Sequence, residues 1–419
     1  KNSRHRITNR AVMRDRNYLC SLDIGTSKVV AFLGEVQEDG SVEILGYGQA
    51  PSKGLIAGMV TNIEAASYSI RQAVDEAELM ADRRIDSVVL GITGNHIGSV
   101  NAEGTVKIKD GEVSQGDIDR AIEAARTSID LSLGRRILHT ELRKYKIDDQ
   151  PGVKEPLGMS GMRLQTGVHV ISGANTAIQN LEKCVERCRL HTQAIILQPI
   201  ASAMAVLTED EKELGVCCID VGAGTIDIAV YENGAIRHTA VIPAAGELIT
   251  KDLTQALRTP YVAAEYIKIT YGVALAESAQ EDEMIEVPSV GNRQPRVISR
   301  KTLASIIGPR VEDILEVVIN ELEQANCPPE LLTSGVVITG GTSLLEGIVP
   351  LAEDMFALPV RIGVPNKIGG IAERLKNPRY AASVGLLEYV SENSFKNSLL
   401  YPSEGTPFKK FVHFLKTYF

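Results

Sequence analysis

Long apolar runs are missing from this chain: none reaches the roughly eighteen residues that a membrane-spanning helix needs, and no signal-peptide core is present. A spanning helix is therefore not expected within this sequence. Cysteine is scarce, with six in 419 residues, and its placement builds no disulfide framework. Cys20, Cys217 and Cys218 lie in apolar runs that read as strands, and Cys327 ends a helix ahead of Pro328 and Pro329. Cys184, Cys188 and His191 have a helical spacing that suits a metal. Their face also bears Ile178, Leu181 and Val185, and no fourth ligand is evident, so they read as core. The thiols together point to a reducing compartment, the cytoplasm. Positive charge is short as well: 44 Lys and Arg against 53 Asp and Glu leave a net charge of -9, which argues against non-specific nucleic-acid binding. The exception is a basic leader, residues 1–16 with Arg4, Arg6, Arg10, Arg14 and Arg16, which reads as a disordered tail. Phenylalanine is rare too, yet four of the seven fall in the last twelve residues.

What is present is a repeat. Asp23-Ile24-Gly25-Thr26-Ser27-Lys28 follows the apolar run from Tyr18 to Leu22 and leads into Val29–Leu33, then through Asp39-Gly40 into Val42–Tyr47. Asp220-Val221-Gly222-Ala223-Gly224-Thr225 follows Val216–Ile219, leads into Ile226–Tyr231, and turns at Asn233-Gly234 into Ala235–Ile242. Asp-Gly and Asn-Gly between apolar runs are strong hairpin signals. One such loop alone is a weak signal, equally a tight turn whose Asp caps its own backbone. Two in the same strand-turn-strand-turn-strand frame predict a duplicated domain that closes on a nucleotide phosphate from both sides. Glycine lets backbone N–H groups approach phosphate oxygens, Thr26, Ser27 and Thr225 add hydroxyls, and Lys28 adds a cation. Asp23 and Asp220 are the wrong sign for phosphate and the right chemistry for Mg2+ or its waters.

A third element fits the same ligand. The buried-strand run Gly335–Thr339 leads into Gly340-Gly341-Thr342-Ser343 and then a helical stretch, which is the form of a nucleoside platform at a helix start. Gln198 opens a helix after the strand Ala194–Leu197, where the connection between the lobes would set it near an attacking water, with Asp220 as its catalytic companion. Glu265 and Lys268 lie three apart on one helix face and reach a ribose and a base edge, unless they form a solvated surface pair. The fold class expected is therefore α/β: a duplicated actin-like ATPase fold, two lobes with mixed sheets flanked by helices.

Between residues 88 and 171 the first half carries material that the second lacks: strands Ser87–Ile92, Val100–Ile108, Arg136–Tyr145 and Arg163–Ile171, and a helix Gly116–Ile129. These read as an inserted α+β subdomain, with a surface loop around Pro151, Gly152, Pro156, Gly158 and Gly161. The expected divisions are 17–87 with about 172–208 for the first lobe, and 209–275 with about 328–390 for the second. Residues 276–327 form the second lobe's own insertion, acidic first and basic later (Arg293, Arg296, Arg300), and 391–406 form a linker.

The tail, 407–419, is amphipathic when wound as a helix. Phe408, Phe411, Val412, Leu415, Tyr418 and Phe419 share one face, with Phe414 flanking, and Lys409, Lys410 and Lys416 lie opposite. It is too short to span a bilayer and suited to lie in an anionic interface, each Lys worth about 1 kcal/mol there. A terminal helix docked on the protein's own core is the competing reading. One such helix is a reversible hook; many held in a filament would bind tightly.

The stretches Leu22–Lys28, Thr208–Val216 leading into Asp220–Tyr231, Arg237–Pro243, Val287–Gly291 and Thr339–Gly341 resemble the bacterial cell division family FtsA, actin-related membrane adaptors. The resemblance covers residues 15–390 and the tail. It implies a four-part body (1A, 1C, 2A, 2B), with 1C matching the insert and 2B residues 276–327. It also implies ATP with Mg2+, head-to-tail self-association, and tethering of FtsZ filaments at the cytoplasmic face of the cell membrane at the division site. Later division proteins would be recruited there. In the family the FtsZ tail docks on 2B, where Arg293, Arg296 and Arg300 would meet its acidic groups. Ala223 stands where relatives often have Gly, a small residue for a small one. Whether the chain hydrolyses ATP or merely binds it stays open. A pilus-assembly ATPase shares the fold and a similar insert; a sugar or acid kinase shares the hairpins but has no use for a terminal anchor. An Hsp70-type chaperone would need a peptide-binding domain for which few residues remain.

Overall fold

Strands β1 (Tyr18–Ile24), β2 (Lys28–Val36) and β3 (Val42–Pro51) pair antiparallel as the turn residues predict. They belong to a computed structural model that describes residues 18–400 except 38, 132, 280–282, 292, 367 and 371–374. A two-residue ribbon, β4 (Leu55–Ile56) with β5 (Met59–Val60), precedes helix α1 (Ile63–Ala81). Asn62 caps that helix on the Ala65 N–H. Ala66, Ile70, Ala73, Val74 and Ala77 recur at helical spacing and bury its inner face. β6 (Ser87–Ile92) then lies parallel to β1.

The insert follows. β7 (Ile97–Lys107), α2 (Gln115–Thr127), β8 (Arg135–Ile147), β9 (Gln150–Val153) and β10 (Arg163–Ala174) make their own four-stranded sheet in the order β7-β10-β8-β9. Ser114 and Asp117 form a capping box that starts α2, which is why an aspartate sits buried on its apolar face. Two expectations are corrected here. β6 is hydrogen-bonded within the first lobe's sheet, so the insert's own sheet begins at Ile97 and not at residue 88. The loop around Pro151 holds the edge strand β9, paired to β8. The insert also leans on the second lobe: the Ser99 hydroxyl donates to the Thr239 carbonyl at 2.8 Å and the Asn101 amide to that of Arg237 at 3.1 Å.

The chain returns through α3 (Asn175–Arg187) and β11 (His191–Leu197), the latter parallel to β6, and enters α4 (Gln198–Val206). The second lobe repeats the plan. After α5 (Glu209–Leu214) come β12 (Val216–Val221), β13 (Ile226–Glu232) and β14 (Ala235–Ile242), again antiparallel neighbours, then α6 (Gly246–Leu257) and α7 (Tyr261–Tyr271). A small hairpin, β15 (Met284–Val287) with β16 (Arg296–Ser299), leads into α8 (Arg300–Gln324). β17 (Val336–Thr339) lies parallel to β12 as β6 does to β1, followed by α9 (Ile348–Phe356) and β18 (Val360–Ile362). One buried core fills the first lobe and reaches Val216, Cys218, Ala229 and Val337 of the second, and another fills the rest of the second lobe.

The last elements go back to the first lobe. β19 (Ile368–Gly370) pairs parallel with β3, completing the order β11-β6-β1-β2-β3-β19, and α10 (Ala381–Leu400) packs along α4 and β1. The approach is backbone-close: a Cβ on Gly385 would lie 1.7 Å from the Ala201 carbonyl oxygen. Ala381, Val384, Leu386, Leu387 and Val390 join the first lobe's core. The second lobe therefore ends before β19 and not near residue 390. α10 also continues to Leu400, through the first ten residues of the expected linker. The leader 1–16 and the amphipathic segment 407–419 lie outside the described residues.

Candidate functional site

The two glycine loops fold alike. In each, the first glycine N–H donates to the carbonyl three residues on, Gly25 to Lys28 and Gly222 to Thr225, both at 3.0 Å. They also meet: a Cβ added to Gly224 would fall 2.3 Å from Thr26 Oγ1. Between them lies a cavity of about 240 Å³ lined by both loops. Two other depressions are roomier, about 660 and 680 Å³, but neither contains any residue of the loops. Chemistry and not size marks the site.

At its floor, Asp23 accepts from the Gln198 amide at 2.7 Å and from Ser383 at 2.9 Å, while Asp220 accepts from the Ser202 hydroxyl at 2.5 Å. Both are buried. Burial raises the Asp23 carboxyl against the pull of Lys28, and it pushes Asp220 up to about 6, with the Asp23 charge adding to the rise. Asp227, which the motif reading passed over, is a third buried carboxylate on the wall. It is raised well above the usual range by burial and then by Asp220. The Thr93 hydroxyl crosses from the first lobe to bond it, and Thr225 donates at 3.2 Å. Among the described residues no group of three or more His, Cys, Asp or Glu stands close enough to grip a metal directly. Buried carboxylates with partners already in place suit a hydrated hard cation, and Mg2+ held through water by Asp23 and Asp220 fits them. Gln198, expected beside an attacking water, has its amide nitrogen on Asp23.

Lys28 lines the same cavity. Its ammonium donates to the Arg379 carbonyl at 2.6 Å and sits 4.2 Å above the Tyr380 ring. Burial lowers its pKa to about 8, so the charge is present below that pH and lost as pH rises through it. An anion bound beside Lys28 would favour the charged form, so the affinity of any anionic ligand in this cavity, with ATP as the probe, is expected to fall severalfold between pH 7 and pH 9.5 by titration calorimetry. Lys28→Met is expected to flatten that profile.

The rest of the lining combines an ion pair with an apolar wall. Lys268 is buried and Glu265 half-buried, so they are not a solvated pair. The ammonium bonds the Gly246 carbonyl at 3.1 Å, Thr250 at 2.9 Å and the Glu265 carboxylate at 2.8 Å. Gly340, Gly341 and Thr342 line the wall, with the Thr342 hydroxyl tied to the Gly222 carbonyl at 2.9 Å. Ser343 does not: its hydroxyl is buried on the Gly340 carbonyl at 2.7 Å. The segment Gly341–Leu344 is a 3-10 turn, and α9 starts only after Gly347. Ile269, Leu344 and Leu345 add an apolar wall, and Arg379 adds a cation from the turn before α10. No local sequence signal marked these four. Ile269 and Leu344 are large apolar side chains left 65% and 52% exposed, which only the folded chain reveals.

None of the three insertion arginines lines the cavity: Arg293 is exposed beside the small hairpin, Arg296 opens β16 with its guanidinium on the Leu257 carbonyl, and Arg300 is committed to Glu283 at 3.0 Å, to Glu346 and to the Tyr271 carbonyl. The tail residues Phe408 to Phe419 lie outside the described residues.

Comparisons with known proteins agree with this geometry. Residues 217–385 match the family model described as cell division protein FtsA, and residues 94–172 the one described as the SHS2 domain inserted in FtsA. The chain is 58% identical over 374 residues to the cell division protein FtsA of Neisseria meningitidis serogroup B, covering 89% of this chain and 90% of that one. It is 51% identical over 379 residues to that of Pseudomonas aeruginosa (90% of each). It is 43% identical over 385 residues to that of Escherichia coli K12 (90% and 91%). Among solved structures it resembles the PilM-PilN type IV pilus biogenesis complex, with TM-score 0.63 and 17% identity over 88% of this chain and 97% of that one. It also resembles MreB5 of Spiroplasma citri bound to ADP, with TM-score 0.55 and 16% identity over 91% and 98%. At such identities these two establish the fold alone, and that fold is the actin-like ATPase fold.

Proposed function

The chain belongs to the FtsA family of cell division proteins, and we propose that it binds ATP with Mg2+ between its lobes, self-associates into filaments and tethers FtsZ to the membrane. The observation that carries this reading is the contact of Thr26 with Gly224 across one cavity: a triphosphate held by both loops joins the lobes. Asp23 and Asp220 would hold the hydrated Mg2+, which when bound neutralises phosphate charge. Gln198, fixed on Asp23, and Asp220 occupy positions suited to slow hydrolysis or to binding alone.

No helix among the described residues is long and apolar enough to cross a membrane. Attachment to anionic lipid at the cytoplasmic face of the division site would run through Phe408–Phe419. A filament multiplies that weak hook by effective concentration. The acidic FtsZ tail docks on the second lobe's insertion, where Arg293 is exposed, Arg296 donates to the Leu257 carbonyl and Arg300 serves an internal ion pair. Later division proteins join the assembly so formed.

Co-sedimentation of the purified protein with FtsZ, anionic vesicles and ATP tests the proposal. FtsZ is expected to pellet with vesicles only when this protein and ATP are both present. Vesicles that carry the protein down and leave FtsZ in the supernatant would contradict the adaptor role.

A further inference from the structure

We propose that Arg379 is a nucleotide-positioning residue whose guanidinium covers the face of the purine opposite the apolar wall of Ile269, Leu344 and Leu345. The inference rests on the ATP-binding reading and adds which part of the ligand this residue reads.

Three observations lead to it. Arg379 is an exposed charged residue on the cavity wall, and the hydrogen bonds it makes within the described residues are through its backbone. Its N–H donates to the Asn377 side chain at 3.1 Å and its carbonyl accepts from Lys28 at 2.6 Å. The turn that carries it is fixed to both lobes. The Pro378 carbonyl accepts from the Gly340 N–H and the Thr339 hydroxyl, both at 3.2 Å, and Tyr380 packs 5.7 Å from Phe32 between ring centroids. A guanidinium on a rigid base, with no carboxylate partner among the described residues, is poised for a ligand.

Position decides which part of the ligand. The Pro378 bonds put the turn against Gly340 of the platform, while its Lys28 contact puts it at the near end of the first phosphate loop. That is where the nucleoside platform meets the first phosphate loop. A purine laid on Ile269 and Leu344 leaves its second face to be covered, and a planar guanidinium stacks there better than an ammonium does.

Binding of ATP and of ADP to wild type, Arg379→Ala and Arg379→Lys, measured by titration calorimetry, tests this. Arg379→Ala is expected to weaken both nucleotides by the same factor, about tenfold. Arg379→Lys, keeping charge without the plane, is expected to recover only part of it. The side chain is exposed, so the nucleotide-free melting temperature of both variants should match wild type. Unchanged affinity in Arg379→Ala overturns the inference. So does a loss for ATP that ADP does not share, or full recovery in Arg379→Lys, since those outcomes assign the residue to the γ-phosphate or to charge alone. Folded wild type that binds neither nucleotide would overturn the ATP-binding reading itself.

Discussion

Gly224→Val is expected to lower affinity for ATP at least about a hundredfold while leaving the buried cores intact. A Cβ at this position would stand 2.3 Å from Thr26 Oγ1, 2.8 Å from its Cβ and 2.9 Å from its Cγ2. Thr26 is short and branched at that atom, so no rotamer clears the collision. The loops must part, and the donors of one lobe leave the phosphates held by the other. Loss of two charge-assisted hydrogen bonds at about 1.5–3 kcal/mol each is enough for that factor. Gly369→Ala, on β19 and off the cavity wall, is the control: nothing lies within 4 Å of a Cβ there, and affinity should change less than about threefold. Gly224→Ala combined with Thr26→Gly is expected to regain part of the binding that Gly224→Ala alone loses. Titration calorimetry on the four proteins reads all of this. A Gly224→Val protein that binds ATP as wild type does would mean that the loops do not need to touch.

Deleting residues 408–419 is expected to release the protein from anionic vesicles and leave ATP binding unchanged. The segment has Lys409, Lys410 and Lys416 opposite Phe408, Phe411 and Phe419, with Phe414 flanking. At about 1 kcal/mol per lysine near an anionic surface, the charges alone supply roughly a hundredfold in partitioning, and the aromatic face adds more. The charge contribution is screened, so the intact protein should pellet less as salt rises. The cavity is built from residues 23–382, so nucleotide affinity has no reason to follow. A truncated protein that still pellets with vesicles would take the anchor away from this segment.

The phosphate loops were legible because their signals are local. Asp39-Gly40 and Asn233-Gly234 set the hairpins, and the strand ahead of each loop needs only its own apolar run. Gln198 was legible for the same reason, as a strand end followed by Pro199. What escaped depends on distance in sequence. Asp227 matters because Thr93, from the other lobe, bonds it, and nothing near Asp227 announces that. The return of β19 and α10 to the first lobe rests on Ile368 pairing with Val42 and on Gly385 meeting Ala201, contacts that no periodicity encodes. Composition misled at residues 391–400, where polar residues suggested a linker and the backbone keeps the helix begun at Ala381. Ser343 misled in a different way. A hydroxyl after a double glycine suits a ligand, yet the 3-10 turn spends it on the Gly340 carbonyl. The hook in the last twelve residues stands on sequence pattern alone.

One triphosphate gripped by turns from opposite halves of the molecule is the claim on which the rest depends. Hydrogen exchange of the backbone amides, with and without Mg-ATP, addresses it directly. Saturation at one nucleotide per chain should protect residues 25–28 and 222–225 together, over the same concentration range. Protection confined to a single turn, or two turns responding at different nucleotide concentrations, would contradict a shared grip.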